Sequence, residues 1–191
     1  MVQHLVFDGA DGFKPNAQNV YALDDAFASA PRTFEAVVQL DTSYTQRAGV
    51  IIGNYDGGTG NQFNLEVYTS GKLRLYYIAN RTAYNYNFKT DIRSDSPTHI
   101  TLTVDGRTAK LYLDGQCKET VTLPAAIPEI VSGYKIGGDN RVGNTQYFKG
   151  TIYTACLFSD VRTSEEIAVD RYLPQSDSDN LLVFKNFLNN K

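Results

Sequence analysis

Short runs in which apolar and polar residues take turns recur along almost the whole of this 191-residue sequence, and Gly, Asn, Asp or Pro closes each one. Alternation of this kind sends successive side chains to opposite faces, which is what a half-buried β-strand requires. The runs are VQHLVF, RTFEAVVQL, AGVIIGNY, QFNLEVYT, KLRLYYIA, AYNYNFK, HITLTV, AKLYLD, CKETVTL, YKIGG and GTIYTACLF. Between them stand FDGADGFKPN, NYDGGTGN, TSGK, DGRT, LDGQ and GGDNRVGN. Many short strands at fairly even spacing, with no βαβ alternation, heptad or long repeat, predict an all-β fold: a two-sheet antiparallel β-sandwich of the jelly-roll kind.

Residues 99–116, HITLTVDGRTAKLYLDGQ, show the pattern at its clearest. Ile100, Leu102 and Val104 alternate with Thr101 and Thr103, and Leu111 and Leu113 flank Tyr112. Asp105-Gly106 and Asp114-Gly115 predict two tight turns, since Asp-Gly readily supplies the positive φ that a hairpin needs. One helix is predicted near 164–172. In DVRTSEEIAVDRYLP, Thr163 and Glu166 form a capping box and Pro174 ends the pattern. PQSDSDN at 174–180 reads as a polar connector. The run LLVFKNF after it is either a last edge strand of the same domain or the start of the next segment of a longer chain.

A chain of this length suits one domain, here taken as 1–191, with a core large enough to need no disulfide or metal. The net charge of −3 and the lack of a Lys/Arg cluster argue against nucleic acid. No apolar run approaches the roughly 20 residues of a membrane span. MVQHLVFDGADGF has no basic stretch leading into an apolar one, so no signal peptide is read here, and the expectation is a module of a larger protein. Cys117 and Cys156 are the two cysteines; their spacing leaves pairing open. Neither they nor His4 and His99 stand at zinc-ligand spacing.

The ordered segments resemble a known family. FDGADGF at 7–13, RTFEAVVQLD at 32–41, GVIIGNYD at 49–56, HITLTVDGRTAKLYLDGQ, YKIGGDN at 134–140 and FKGTIYTACLFSDVRTSEEI at 148–167 keep the order of motifs in laminin-G-like, concanavalin A-like lectin and glucanase jelly-roll modules. The resemblance covers about residues 5–173. The family often carries Asp and a second acid after G-x-I, where this chain has Tyr153 and Thr154, and it often has an aromatic residue before the His, where this chain has Pro97-Thr98. The fold hosts many roles, so function has to be argued from the site.

The glucanase branch implied by the resemblance places its carboxylates on one strand as E-x-D-x-x-E or a close variant. Glycoside hydrolysis needs such a pair. Here Glu35 and Glu66 are each the only acid of their strand, Asp24-Asp25 sits in an Ala-rich loop, and Glu165-Glu166 opens a helix. No G-x-S-x-G elbow occurs, and His99 reads as a structural residue at a strand start. The expectation is no enzyme and no catalytic residue. FDGADGF and NYDGGTGN offer the hard oxygen donors that calcium takes, though they are also ordinary turn formers. The resemblance implies a structural calcium at Asp8 or a neighbouring loop; no other cofactor is expected.

A sugar site needs an apolar platform with polar groups converging on hydroxyls. In QFNLEVYTSGKLRLYYIAN, Phe63, Leu65 and Val67 face one way, as do Leu73 and Leu75 across the Ser70-Gly71 turn. The other face then carries Glu66, Tyr68, Arg74 and Tyr76. The next run alternates Tyr84, Tyr86 and Phe88 with Asn85 and Asn87, and GGDNRVGNTQY adds Asp139, Asn140, Arg141, Asn144, Gln146 and Tyr147. Arg beside Tyr and Asn suits an acidic or hydroxyl-rich sugar. The candidate ligand residues are Glu66, Tyr68, Arg74, Tyr76, Asn85, Arg141, Asn144 and Tyr147. Opposite charges across a hairpin also simply stabilise it. Asn80-Arg81-Thr82 is a sequon, which predicts an exposed turn.

Two functional expectations result. The first is a non-catalytic, lectin-like carbohydrate-binding module of a larger extracellular or cell-surface protein, with a glycan or surface polysaccharide and the other domains of its chain as partners. The second is a structural or adhesive protein-interaction domain, in a surface protein or a phage tail, without a small ligand.

Overall fold

The computed structural model describes residues 32–40, 42, 48–130, 133–141 and 146–171, together with the backbone of strands at 5–8, 21–23 and 181–186; Thr69 is likewise described by its backbone alone. In chain order the elements are β1 (Leu5–Asp8), β2 (Tyr21–Leu23), β3 (Thr33–Leu40), β4 (Ala48–Gly53), β5 (Gln62–Tyr68), β6 (Lys72–Ala79), β7 (Thr82–Asp91), β8 (Thr98–Asp105), β9 (Thr108–Leu113), β10 (Gln116–Thr122), β11 (Tyr134–Ile136), β12 (Lys149–Phe158), α1 (Ser164–Asp170) and β13 (Leu181–Asn186). Each predicted run becomes a strand. β2 was not anticipated: YAL is too short to show alternation, and it forms against β11.

Two antiparallel sheets result. One runs β1-β12-β3-β8-β9-β10, with β13 also on β12; the other runs β2-β11-β4-β5-β6-β7. β1 and β13 share one side of β12, β1 along Lys149–Ile152 and β13 along Thr154–Phe158. LLVFKNF therefore supplies a strand of the same sheet. The alternating residues meet between the sheets. Phe34, Val38, Ile100, Leu102 and Leu111 from one side pack with Phe63, Leu65, Leu73, Leu75 and Tyr77 from the other, all fully or almost fully buried. Phe34 and Phe63 cross the sandwich edge to face at 4.7 Å. Burial of this kind stabilises by about 25 cal/mol per Å² of apolar surface.

The turns show how local chemistry sets register. Between β9 and β10, Asp114 and Gly115 both have positive φ, 50° and 77°, as a two-residue hairpin of mirror-image twist requires. Between β8 and β9, Asp105 remains in the strand opposite Thr108, and the turn residues are Gly106 and Arg107; of the Asp-Gly pair only Gly106, at 58°, takes positive φ. The β6–β7 turn puts two non-glycine residues there, Asn80 at 51° and Arg81 at 65°. Both are exposed, in agreement with the sequon expectation.

At the family's acidic positions, the β12–β3 ladder shifts by one residue between Ile152 and Thr154. Tyr153 is the extra residue of this bulge; its hydroxyl donates to Gln39 Oε1 at 3.0 Å. Thr154 Oγ1 accepts the Val37 N–H at 3.2 Å. The substituted pair thus serves the bulge.

α1 covers the outer face of the seven-stranded sheet. Its capping box is complete: Thr163 Oγ1 accepts the Glu166 N–H, and the Glu166 carboxylate accepts the Thr163 N–H. Arg162, just before it, is buried, donates to Asp170 Oδ2 through Nε (3.0 Å) and Nη2 (2.6 Å), and lies over the Phe158 ring. Beneath this cover His99 Nε2 stands 3.6 Å from Glu35 Oε2, both buried. Cys156 is buried on the same face and Cys117 is exposed on β10; both are free thiols.

Candidate functional site

β5 and β6 pair with Tyr68 opposite Lys72, Glu66 opposite Arg74 and Asn64 opposite Tyr76. With Phe63, Leu65, Leu73 and Leu75 in the core, the period of two leaves the polar set on the outer face of the six-stranded sheet. β7 adds Asn85 opposite Tyr76 and Asn87 opposite Arg74. Tyr84, Tyr86 and Phe88 turn toward the core, so only the asparagines of that run join this face.

The face is built in two layers. Glu66 is 1% exposed and Asp139 is fully buried. Above them Arg74 and Arg141 are partly open, with side chains 17% and 18% exposed. Arg74 Nε donates to Glu66 Oε1 while its guanidinium lies 4.1 Å over the Tyr68 ring. Arg141 donates to Asp139 Oδ2 through Nε at 3.0 Å and Nη2 at 2.7 Å, and lies 5.1 Å over the Tyr55 ring. Asn64 Nδ2 donates to the same Asp139 oxygen at 3.1 Å. The Arg141 N–H donates to Asp139 Oδ1 at 3.2 Å. Tyr55 meets Tyr76 edge to face at 5.1 Å.

Burial pushes the Glu66 carboxyl above its ordinary range, against the opposing pull of Arg74. Tyr76 is pushed up to about 12, first by burial and then by its hydrogen bond to the Tyr55 hydroxyl. Gly53 makes the packing feasible. A Cβ there would stand 2.0 Å from Asn64 Oδ1, inside any real contact.

Of the candidate residues, the structure gathers Glu66, Tyr68, Arg74, Tyr76 and Asn85 on one face, with Arg141 at its side. Tyr147 lies beside β4, in an isolated bridge with Val50, and is half-buried. Asn144 lies outside the described residues. The sequence reading left Tyr55, Asn64 and Asp139 out of the candidate set. Asn64 shares the alternation of Glu66 and was visible on that ground; Tyr55 and Asp139 sit in loops, where no period marks them.

Glu66 and Asp139 form a pair of acids that no sequence motif announced, and the charge of Asp139 contributes to raising Glu66. Both are held by guanidinium groups, and Asp139 accepts on both oxygens. Glycoside hydrolysis asks for one carboxyl free to deliver a proton and another free to attack or to activate water. This arrangement orients arginines and rings, while Glu66 Oε2 is buried with no hydrogen-bond partner among the described residues.

The calcium expectation meets the structure in one of its loops. In NYDGGTGN, Asp56 Oδ1 accepts the Gly58 N–H at 2.7 Å, which holds the turn and lowers the Asp56 carboxyl below its ordinary range. Asp8 closes β1, and its side chain and residues 9–20 lie outside the described set. Among the described residues, no three of His, Cys, Asp and Glu gather as a metal cluster.

No curated protein matches the sequence. Solved structures share the fold at low identity. A protein of Bacteroides ovatus ATCC 8483 named for carbohydrate binding superposes with a TM-score of 0.69 at 15% identity, over 97% of this chain and 51% of that one. This chain thus spans about half the length of that protein. The Ruminococcus gnavus IT-sialidase CBM40, bound to α2,3-sialyllactose, gives 0.60 at 18% identity, over 88% of this chain and 94% of that one. The heptameric SAP-like pentraxin of Limulus polyphemus gives 0.62 at 12% identity, over 94% and 84%. At the sequence level a laminin G family model, described as concanavalin A-like lectin/glucanases, matches residues 14–168. With that match over most of its length, the chain belongs to the concanavalin A-like lectin/glucanase superfamily.

Proposed function

We propose that this domain is a non-catalytic glycan-binding module of a larger extracellular or cell-surface protein, and that its ligand face is the outer face of the six-stranded sheet around Arg74, Tyr76, Asn85 and Arg141. The observation that carries the reading is the pair of buried carboxylates beneath partly open guanidinium groups and tyrosine rings. Burying Glu66 and Asp139 is costly, and well-packed apolar residues often replace buried ion pairs with no loss of stability. What the carboxylates provide is orientation. They fix Arg74 against Tyr68 and Arg141 against Tyr55, so that nitrogens, hydroxyls and ring edges stand ready for a polyhydroxylated ligand. The sialyllactose bound to one neighbour of the same fold and the carbohydrate binding in another's name support the reading by analogy. A structural calcium near Asp8 belongs to the same proposal.

A glycan-array screen of the purified domain, run with calcium and with EDTA, tests this. The expected result is a defined set of hits weakened at least tenfold by Arg74→Ala or Tyr76→Ala; loss only in EDTA would place calcium in the site. A blank in both buffers would leave the adhesive protein-interaction reading in its place.

A further inference from the structure

A second place on the molecule has the marks of a binding site, on the opposite sheet. A cleft of about 440 Å³ opens between the outer face of the β8–β9 hairpin and the segment 161–165 that leads into α1. This volume is in the range of small-molecule sites. The register places Lys110 opposite Thr103 and Thr108 opposite Asp105, and Tyr112 stands one step along the same face. Leu102, Val104, Leu111 and Leu113 point into the core, so Thr103 and Tyr112 turn outward.

Two features separate this cleft from ordinary surface relief. The first is its floor. Thr103 and Tyr112 are 3% and 4% exposed, and both line the cleft. Among the described residues neither hydroxyl has a hydrogen-bond partner, and neither is among the atoms buried without one, so each keeps its oxygen open to the cleft. The second is its wall, which is pinned. The Arg162 N–H donates to Thr33 Oγ1 at 3.0 Å, and that hydroxyl donates to the Asp160 carbonyl at 2.7 Å. The Arg162 guanidinium is taken up by Asp170 and Glu166. The cleft is therefore preformed, and its arginine is not available to an anion.

We propose that this cleft is a second ligand site, one that takes a single neutral, polyhydroxylated unit such as one sugar residue. Thr103 and Tyr112 each both donate and accept a hydrogen bond, which matches a sugar hydroxyl. Lys110 and Asp105 stand on opposite strands of the rim, and Ser164 and Glu165 add an exposed hydroxyl and an exposed carboxylate at the wall. With the arginine neutralised and rim charges of both signs, the lining favours hydrogen bonding to an uncharged ligand over capture of a charged one. The site is independent of the Arg74 face, and the two together would make the module bivalent.

The test is a backbone-amide NMR titration of the whole domain with methyl glycosides of glucose, galactose, mannose and N-acetylglucosamine. Expected are saturable shifts at 103–112 and 161–165, with affinity lowered about tenfold in Tyr112→Phe and in Thr103→Val. Both substitutions keep the side-chain volume and remove only the hydroxyl. Because neither hydroxyl bonds to another group of the fold, the thermal midpoint should hold while binding falls, which a merely structural hydroxyl would not produce. Shifts confined to 62–76 and 139–141 would leave the Arg74 face standing and overturn the cleft. So would unchanged affinity in both variants, or no shift with any of the four glycosides.

Discussion

Replacing Asp139 by Ala is the sharpest single test of how the Arg74 face is held. The carboxylate is fully buried and accepts four hydrogen bonds: two from the Arg141 guanidinium at 3.0 and 2.7 Å, one from the Arg141 N–H at 3.2 Å and one from Asn64 at 3.1 Å. Its loss leaves a largely buried guanidinium without its counter-charge and a buried carboxamide without its acceptor. Removing one member of a buried ion pair costs about 3–5 kcal/mol. The open edge of Arg141, 18% exposed, lets water recover part of that, so the lower end of the range is expected. At 2–4 °C per kcal/mol for a domain of this size, the thermal midpoint should fall on the order of 10 °C. Urea unfolding reads the change as a lower midpoint with an unaltered slope. Arg141→Met in the same background should restore part of the loss, because it removes the stranded cation; a coupling of about 0.5–3 kcal/mol between the two positions is expected. A cost below about 1 kcal/mol for Asp139→Ala, or a double variant no more stable than the single one, would show that the carboxylate is not what organises this face.

Two further outcomes rest on the backbone and on burial. Arg81 holds φ at 65°, a conformation costing a side-chain-bearing residue about 1–2 kcal/mol, so Arg81→Gly should raise the thermal midpoint by about 2–4 °C; no rise in a calorimetric scan would mean the turn carries no strain. Folded Glu66 holds its proton more tightly than the unfolded chain, whose value is 4.5. Its contribution to stability is therefore full below 4.5 and is lost as pH rises through the folded value. Relative to Glu66→Gln, the wild-type protein should gain stability as pH falls from neutrality toward 4.5, and urea unfolding of both proteins across that interval would contradict this by a difference that does not change.

The strands were legible because their cause is local. Ile100, Leu102 and Val104 alternate with threonines whatever else the chain does, and a period of two has one stable use, a sheet with one face covered. The helix was legible for the same reason: Thr163 and Glu166 satisfy each other's backbone within one turn. Turn chemistry was legible to within one residue. Asp105 proved to be the last residue of a strand and Arg107 took part in the turn, since the pairing of Thr108 with Asp105 is set across the hairpin. β2 was not legible, because its three residues become a strand only when β11 offers an edge.

The sequence by itself determined the class of fold, the identity of the strands and the face on which Glu66, Tyr68, Arg74 and Tyr76 stand, since side-chain direction along a strand follows from position alone. The tertiary structure alone decided which groups meet. Asp139 lies 75 positions from Asn64 and Cys156 lies on the far sheet from Arg74; nothing in their neighbours along the chain signals that the first becomes a buried anchor of the ligand face and the second remains an unpaired thiol. The cleft beside Tyr112 was equally invisible, because it exists only where α1 folds back over a hairpin some 50 residues upstream. Periodicity is carried by each residue and its near neighbours. Charge pairing, desolvation and cavity shape depend on distances that the chain sets only after its two sheets have closed on a common core.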